Sequence, residues 1–502
     1  MLLALSFPKF GHPAVAWIAL TPLIVASARA RSLRQAFFTG LLAGAVYFAG
    51  TLYWLVETMT TFGGLHIGLA VVAAALLVAY LALFPAAFSL MFARCYRAYG
   101  FAAFLLAPSI WVTTELGRQY LWDGFPWALL GYSQVTALPI AQSASIVGVY
   151  GLSWILALTG AAAGAIVLER GRSRWVLAAS VIVFVGGASL WGAGRIRSSM
   201  LTSQGDPVRV AVVQGNILQD DKNAAYTGNA EIADLIAQRY LDMTRQALAA
   251  GATFIMWPES STPFYFERDL VRGGAIRRLA SESNATLLIG SDQVESVNET
   301  AAKGPTQDRY YNAAFLVKPD GQVGAVYRKM HLVPFGEYVP LKSVLFFVGP
   351  IVEAVSAFTP GEDAVLLPVA GHVVSTAICY EVIFPDLIRR SVQDGSELLT
   401  TITNDAWYGR SSAAFQHWEQ ASMRAIEGGR YLARAANTGI SGFIDPYGRV
   451  LEKTGLFGQA VVVADLRFIK SRTIYSRIGD LIAWLSLAVV VAAMLGTRRA
   501  VH

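Results

Sequence analysis

Long apolar runs separated by short polar loops fill the first 200 residues of the chain and return near its carboxyl terminus. Residues 67–92 contain no charged side chain, and about 20 apolar residues suffice to span a bilayer as a helix. Residues 1–10 add a short helix, because no basic segment and no clear cleavage site mark them as a signal peptide. The pattern predicts a transmembrane bundle of about eight α-helices, the others lying at 13–28, 36–57, 101–116, 140–168, 175–190 and 478–496.

The short loops between these runs differ in charge. Arginine-rich loops alternate with loops poor in cations, since residues 59–65 carry no cation and residues 118–139 carry one. Basic residues concentrate in the cytoplasmic loops of membrane proteins. The segment from about 195 to 477 is therefore expected on the opposite face of the membrane. The arginines that set this orientation are Arg29, Arg31, Arg34, Arg94, Arg97, Arg170, Arg172, Arg174, Arg498 and Arg499.

Between the apolar ends of the chain, short β-branched runs alternate with stretches of helical spacing. Strands are predicted at 208–213, 253–256, 286–290, 311–317, 324–327, 373–378, 398–403, 439–444 and 461–465. Helices are predicted at 232–250, 270–282, 384–392 and 415–436. This alternation, with a hairpin turn at 319–321, indicates an α/β sandwich of two or more layers. The expected domains are a helical region 1–194, an exported domain 195–475 and a last helix with its tail, 476–502.

Composition agrees with a membrane protein. The 502 residues are 55% hydrophobic and 15% charged, with a mean hydropathy of +0.47, which is too apolar for an ordinary soluble chain. The net charge of +6 comes from the basic loops, so it does not indicate nucleic-acid binding. The only cysteines, Cys95 and Cys379, are expected on opposite sides of a roughly 30 Å hydrocarbon layer and cannot form a disulfide.

Three side chains of the exported segment offer complementary chemistry. Cys379 lies between a predicted strand and a predicted helix, where a helix end and a cation can lower a thiol pKa toward neutrality. Glu259 ends a strand beside a tryptophan and a proline, surroundings that can raise its pKa and make it a base near pH 7. Lys329 precedes an apolar stretch and Glu337, so it is expected to be packed and paired.

Each of these side chains also has an ordinary structural interpretation. The cysteine could be inert and buried, the glutamate could begin a helix, and the lysine could be a solvated surface group. Their combination in one segment favours the chemical interpretation. A nucleophile, a base and a stabiliser of negative charge are the groups that thiol-based acyl transfer requires.

The histidines give no indication of a metal site. None of the six, His12, His66, His331, His372, His417 and His502, is spaced as a metal-binding pair. The chain also lacks a phosphate-cradling glycine loop and a G-x-S-x-G elbow. No metal and no cofactor are expected.

One apolar segment of the exported domain has two interpretations. Residues 339–351 are rich in apolar side chains with interspersed glycine and proline. The segment could be ordinary core, or an arm that enters the membrane or covers a lipid site.

Several motifs together resemble the apolipoprotein N-acyltransferase family, the membrane-embedded branch of the nitrilase superfamily. The resemblance covers essentially the whole length of the chain. The motifs are specific in combination, whereas each alone is weak. They are Val212-Val213-Gln214-Gly215-Asn216, Trp257-Pro258-Glu259-Ser260, Tyr327-Arg328-Lys329, Leu332-Val333-Pro334-Phe335-Gly336-Glu337-Tyr338-Val339-Pro340, Ile378-Cys379-Tyr380-Glu381 and Thr403-Asn404-Asp405-Ala406-Trp407-Tyr408-Gly409.

The resemblance implies a nitrilase-like αββα sandwich on the periplasmic side of a multi-pass inner-membrane protein, expected to be a monomer. The implied acyl donor is a membrane phospholipid, and the acceptor is the α-amino group of a lipoprotein's diacylglyceryl-cysteine. A Cys thioester acyl-enzyme would link the two steps. The implied roles are general base for Glu259, oxyanion stabiliser for Lys329, nucleophile for Cys379 and support for Glu337, Tyr380 and Glu381.

Two positions depart from the family pattern. Asn223 follows Lys222 where many members carry tryptophan, and residues 410–414 lack an expected acidic residue. Both concern substrate contacts more than the chemistry. The residues alone leave two other functions open: a membrane-tethered amidase or nitrilase with water as acceptor, and a non-catalytic receptor or scaffold. The apolar segment 339–351 argues against small polar substrates, and the three reactive side chains argue against a scaffold.

Overall fold

Two compact units make up the computed structural model, which describes residues 1–297, 307–334, 336–338 and 358–499. The first unit combines Met1–Met200, Ser411–Gly428 and Arg472–His502, and the second combines Leu201–Arg410 with Gly429–Ser471. The chain therefore leaves the second unit for one helix and then returns to it. A division in sequence order, at 194 and 475, stays a prediction.

Helices form most of the first 200 residues. Residues 1–10, expected as a short helix, contain a three-residue 3₁₀ turn at Ala4–Ser6. The apolar run predicted at 140–168 forms a helix that is kinked at Gly148, where the backbone φ is +66°. The helices are α1 (Pro13–Ala19), α2 (Thr21–Ala28), α3 (Leu33–Thr51), α4 (Trp54–Glu57), α5 (Ile67–Tyr99), α6 (Ala103–Tyr120), α7 (Leu138–Ala141), α8 (Ala144–Leu168) and α9 (Ser173–Ser198).

Fewer helices than expected have the length of a membrane span. Among the described residues, three helical stretches are long and apolar enough: Ile67–Tyr120, which contains α5 and α6, Ala144–Leu168 and Ser173–Ser203. A fourth results if Leu33–Thr51 and Trp54–Thr61, bent by 51°, count as one span. Pro13–Ala28 and Leu481–Thr497 are apolar but shorter than the roughly 20 residues that a span requires. Eight membrane helices are therefore not confirmed.

The second unit contains two six-stranded sheets. One has the order β12-β1-β2-β3-β4-β5 and the other β11-β10-β9-β8-β7-β6. Strands β1, β2 and β3 are parallel in the first sheet, and β7, β8 and β9 are parallel in the second. The strands are β1 (Pro207–Gln214), β2 (Phe254–Met256), β3 (Thr286–Val297), β4 (Gln307–Val317), β5 (Val323–Arg328), β6 (Leu367–Val369), β7 (His372–Ile378), β8 (Leu398–Thr403), β9 (Leu432–Ala436), β10 (Gly442–Ile444), β11 (Val450–Lys453) and β12 (Ala460–Arg467).

Alternating side chains of the first sheet face two cores. Val210 and Val212 of β1 join a buried cluster with Val374 and Ile378 of the second sheet. Ala211 of β1 faces the other way, into a cluster that includes residues of three helices. These helices are α10 (Gln219–Tyr226), α11 (Ala230–Ala249) and α12 (Arg272–Ser283). Helix α13 (Pro385–Gln393) comes later in the chain and contacts β7. The predicted α/β sandwich is confirmed.

The predicted helix at 415–436 is wrong in its second half. Helix α14 (Ala413–Gly428) ends before Gly429, whose φ is +60°, and β9 follows. The sequence of β9 is rich in alanine, which favours helices. Its burial between β8 and β10, with Arg434 paired to Asp405 at 2.8 Å, outweighs that propensity. Strands β6 and β11 and helix α10 were also not predicted, and the chain ends with α15 (Ile474–Ile478) and α16 (Leu481–Arg499).

Truncation of Phe315 tests the packing of the first sheet against its helices. Its side chain is fully buried in the cluster between β4 and the helices α11 and α12. We expect Phe315→Ala to lower the free energy of unfolding by about 3–5 kcal/mol, because it removes buried area and leaves a cavity. Thermal unfolding of the full chain in detergent, followed by tryptophan fluorescence, measures the loss. Leu235→Ala, at a position 62% exposed on α11, is the control, and equal stability of the two variants would contradict the packing.

Candidate active site

Cys379 lies where strand β7 ends. Its backbone has a φ of +52°, a conformation that non-glycine residues rarely adopt and that is often found at functional sites. A 3₁₀ turn, Cys379–Ile383, follows directly, and α13 begins at Pro385. The residue is 7% exposed. The predicted position between a strand and a helix is therefore correct, and the turn holds the thiol beyond the end of the sheet.

Glu259 follows strand β2, and its carboxylate accepts three hydrogen bonds. Oε1 accepts from Nδ2 of Asn312 at 2.7 Å and from Nζ of Lys329 at 3.2 Å, while Oε2 accepts from the backbone N–H of Asn404 at 2.8 Å. Burial alone would raise the pKa of Glu259, but the Lys329 charge and these hydrogen bonds outweigh it and lower the pKa. The expectation of a raised pKa is wrong, because it did not include these donors.

Lys329 immediately follows β5 and is 1% exposed. Its Nζ lies 2.9 Å from Oε1 of Glu337 as well as 3.2 Å from Glu259. Burial would lower the pKa of Lys329, but the two carboxylates outweigh burial and raise it well above its usual value. Asn312 donates to Glu337 at 2.9 Å, and the backbone N–H of Val333 donates to the other Glu337 oxygen at 2.7 Å. The predicted pairing of Lys329 with Glu337 is correct.

The Cys379 thiol belongs to the same electrostatic cluster. Burial raises its pKa, the negative charge of Glu259 raises it further, and Lys329 only partly opposes them. The hydroxyl of Thr403 forms a hydrogen bond with the sulfur. The expectation that a cation lowers this pKa toward neutrality is therefore wrong for the resting protein. A neutral thiol beside an ionised carboxylate is the arrangement of a nucleophile and its general base before proton transfer.

Glu381 connects the cysteine turn to the lysine segment. It is fully buried, and its Oε1 accepts from the Tyr327 hydroxyl at 2.8 Å and from the backbone N–H groups of Met330 at 2.7 Å and His331 at 3.2 Å. Its Oε2 accepts from the Ile378 N–H at 2.7 Å. Burial raises the pKa of Glu381 to about 7, against the opposing effect of these donors. Glu381 thus joins the residue before Cys379 to the residue after Lys329.

The structure adds site residues that were not singled out from the sequence. Asn312 bridges Glu259 and Glu337, and the backbone N–H of Asn404 binds the other oxygen of Glu259. Asn312 is the one amide in an apolar part of β4, so its polarity was an available signal, whereas a backbone donor such as that of Asn404 leaves no signal in the sequence. Tyr380, expected to support the site, packs its ring edge-to-face against Phe384, with 5.3 Å between the ring centroids.

Two sequence features remain outside this geometry. Residues 339–351, expected as core or as a membrane arm, lie outside the described residues. Among the described residues, no group of three or more His, Cys, Asp and Glu side chains is placed to hold a metal ion.

Known proteins match this chain along its whole length. Residues 1–162 match the apolipoprotein N-acyltransferase N-terminal domain, and residues 209–473 match the carbon-nitrogen hydrolase family. The apolipoprotein N-acyltransferase of Geobacter metallireducens is 38% identical, over 100% of this chain and 95% of the relative. That of Methylococcus capsulatus is 36% identical, over 96% of this chain and 91% of the relative.

A solved structure resembles part of the chain more distantly. An amidase of the nitrilase superfamily from Nesterenkonia AN1 is 21% identical, with a TM-score of 0.40, over 57% of this chain and 99% of the amidase. The assignment of the α/β sandwich depends instead on its two sheets and on the match to the carbon-nitrogen hydrolase family.

A methyl group at Gly290 tests how closely β3 supports Glu259. A Cβ there would lie 2.6 Å from Cα of Glu259 and would also meet the carbonyl oxygen of Pro258. We expect Gly290→Ala to lower the free energy of unfolding by about 1–3 kcal/mol, because main-chain atoms cannot give way as a flexible side chain does. Thermal unfolding of the full chain is the measurement. Gly274→Ala, whose Cβ would meet nothing within 4 Å, should unfold at or above the wild-type temperature, and equal destabilisation by both changes would refute the close approach.

Proposed function

The chain belongs to the apolipoprotein N-acyltransferase family, and we propose that it moves a fatty acyl chain from a membrane phospholipid to a diacylglyceryl-modified apolipoprotein. The acceptor is the α-amino group of the amino-terminal cysteine, and the enzyme is an amide-forming acyltransferase. The observation that carries the proposal is the buried cluster of Glu259, Lys329 and Cys379. Oε1 of Glu259 lies 3.2 Å from Nζ of Lys329, and both charges act electrostatically on the thiol.

In the first step, Cys379 attacks the ester carbonyl of the phospholipid while Glu259 takes the thiol proton. The carbonyl oxygen becomes an oxyanion, which the ammonium of Lys329 and nearby backbone N–H groups stabilise. Collapse of this intermediate breaks the ester bond. The leaving alkoxide receives the proton from Glu259, so a lysophospholipid departs and a thioester remains on Cys379.

In the second step, the neutral α-amino group of the lipoprotein attacks the thioester carbonyl. Glu259 accepts a proton from the amine, and collapse forms the amide bond and expels the Cys379 thiolate, which takes that proton back. A thioester is reactive enough toward amines that no nucleotide is required. Donor and acceptor use the same site in turn, so the kinetics are ping-pong.

The supporting residues keep the catalytic groups in place. Glu337 and Asn312 hold Lys329 and Glu259 at hydrogen-bonding distance, and Glu381 fixes the turn that carries Cys379. These residues therefore act through the three catalytic side chains. Tyr380, packed beside the cysteine, is proposed to contact the acyl chain or the lipid acceptor.

The proposed setting is the inner membrane, with the second unit on the periplasmic face. The support is the alternation of basic and neutral loops and the presence of three helical stretches of membrane-spanning length. Both proposed substrates carry acyl chains, so a site beside the bilayer would receive them without extraction into water. The active form is proposed to be a monomer, since the three catalytic side chains come from one chain.

Trapping of the acyl-enzyme tests the first step. We expect the wild-type protein, incubated with phospholipid carrying a labelled acyl chain, to gain a label on the Cys379 peptide that hydroxylamine removes, because thioesters are cleaved under conditions that leave amides intact. Mass spectrometry locates the adduct. Cys379→Ala should gain none, whereas Cys95→Ala, which removes the other cysteine, should label normally. Label on Cys379→Ala would overturn the scheme, and transfer of the acyl group to water in the presence of a lipopeptide amine would indicate a hydrolase.

Removal of the Lys329 charge tests its role in stabilising the oxyanion. We expect Lys329→Met to slow thioester formation by roughly 10²- to 10³-fold, the usual effect of losing one such donor. Single-turnover labelling at saturating phospholipid measures the rate. Lys318→Met removes an ammonium from an exposed turn and should keep the wild-type rate. A Lys329→Met protein that is folded and equally fast would exclude a role for this ammonium in the transition state.

A further inference from the structure

A second buried ammonium lies on the backbone side of Glu259. Lys222, in helix α10, is 1% exposed, and its Nζ lies 3.5 Å from the main-chain oxygen of Glu259. Burial lowers the pKa of Lys222 to about 8, while the negative charges of Glu259 and Asp292 act in the opposite direction. The lysine is therefore still a cation at neutral and acidic pH. Lysines are rarely buried to this extent without a charged partner or a function.

Helix α10 contacts Glu259, or residues that are hydrogen-bonded to Glu259 and Ser260, at three points along its length. At its start, Gln219 accepts a hydrogen bond from the side chain of Asn404 at 3.2 Å. Lys222 contacts the loop near its middle. At its end, the Tyr226 hydroxyl donates to Asp292 at 3.0 Å. Asp292 in turn accepts from Ser260 at 3.3 Å.

The backbone of Ser260, the residue after Glu259, is strained, and the contacts of helix α10 hold it in place. Ser260 has a φ of +45°, which costs on the order of 1 kcal/mol or more and persists only where the surroundings hold it. Asp292 accepts a hydrogen bond from the Ser260 side chain, and Lys222 contacts the carbonyl oxygen of the preceding residue, Glu259. Helix α10 is thus placed to fix the direction in which the Glu259 side chain leaves the main chain.

We propose that Lys222 is a positioning residue for Glu259: its ammonium holds the Glu259 carbonyl and favours the ionised form of the Glu259 carboxylate. The inference depends on the proposed function, in which Glu259 is the general base. The ammonium of Lys329 is shared between Glu259 and Glu337. Lys222 contributes a positive charge that Glu337 does not share.

Other charged groups from several elements also face Glu259, and they influence its ionisation together with Lys222. Lys329 and Glu337 come from the segment after β5, Cys379 from the turn after β7, and Asp292 from β3. Asp292 is partly buried, and burial together with the Glu259 charge raises its pKa to about 6. It is therefore mostly protonated below that pH and opposes Lys222 little there. Asp405, another nearby carboxylate, is paired with Arg434 at 2.8 Å.

The pH dependence of thioester formation tests the inference. A carboxylate base loses activity as pH falls through its pKa, so the rate has an acidic midpoint that follows Glu259. Loss of the Lys222 charge disfavours the ionised carboxylate, and the midpoint must then rise. We expect Lys222→Met to raise it by about one pH unit, the size of a single charge interaction at a partly screened distance. Single-turnover labelling of Cys379 by phospholipid, extended down to about pH 3 because the pKa of Glu259 lies below its usual value, gives the midpoints.

Three further variants separate charge from packing. Lys222→Gln keeps a donor toward the Glu259 carbonyl without the charge and should show the same upward shift, which also serves if the methionine variant does not fold. Lys222→Arg keeps the charge and should keep the wild-type midpoint, even at a reduced rate. Tyr226→Phe removes the hydrogen bond at the end of α10 without removing a charged side chain, and it should lower the rate without raising the midpoint.

Two results would overturn the inference. One is a wild-type midpoint in both Lys222→Met and Lys222→Gln with a uniformly reduced rate, which would assign Lys222 to packing alone. The other is an equal upward shift in Tyr226→Phe. Failure of the proposed function looks different, because the wild-type protein would then form no hydroxylamine-labile label on Cys379 at any pH.

Discussion

The ammonium of Lys329, shared between the carboxylates of Glu259 and Glu337, is the interaction on which the site depends. Removing three charged groups from water costs several kcal/mol for each ion, and mutual attraction offsets this only when the remaining lone pairs also find donors. Asn312 donates to both carboxylates, and the backbone N–H groups of Asn404 and Val333 bind their other oxygens. The cluster therefore specifies one geometry, and loss of any member leaves a buried charge without its partner.

Satisfying that cluster requires both sheets at once. Glu259 follows β2 and Lys329 follows β5 of the first sheet, whereas Asn404 follows β8 of the second. The backbone N–H of Lys329 donates to the carbonyl of Asn312 at 2.8 Å, which fixes the lysine to β4. Glu381 then joins the turn after β7 to the segment after Lys329. Buried polar contacts thus hold the ends of β2, β5, β7 and β8 in fixed positions relative to one another. Packing of the apolar cores alone would not select this arrangement.

The sequence predicts which residues meet but not their protonation. A reactive side chain after a buried strand is visible as a pattern, so Glu259 and Cys379 could be placed at strand ends from sequence alone. The pKa of Glu259 depends on donors far away in the chain, Asn312 and Asn404, and that of Cys379 depends on burial and on the Glu259 charge, so both expected directions were wrong. The helix predicted through 436 failed because burial of β9 outweighs the propensity of its alanines. Membrane helices were predicted from apolar runs, but apolarity does not determine where a run breaks into shorter helices, as it does at 13–28.

The raised pKa of Cys379 suits the compartment proposed for this domain. Oxidants and disulfides react with a thiolate much faster than with a thiol, and a cysteine on the proposed oxidising face meets both. Burial and the Glu259 charge keep the proton on sulfur in the resting site. In the proposed first step a substrate carbonyl changes the balance, because the developing oxyanion interacts with Lys329 and replaces negative charge that Glu259 loses on taking the proton. On that proposal the thiol becomes nucleophilic only when an ester is bound, so the same charges that hold the site together also protect its sulfur.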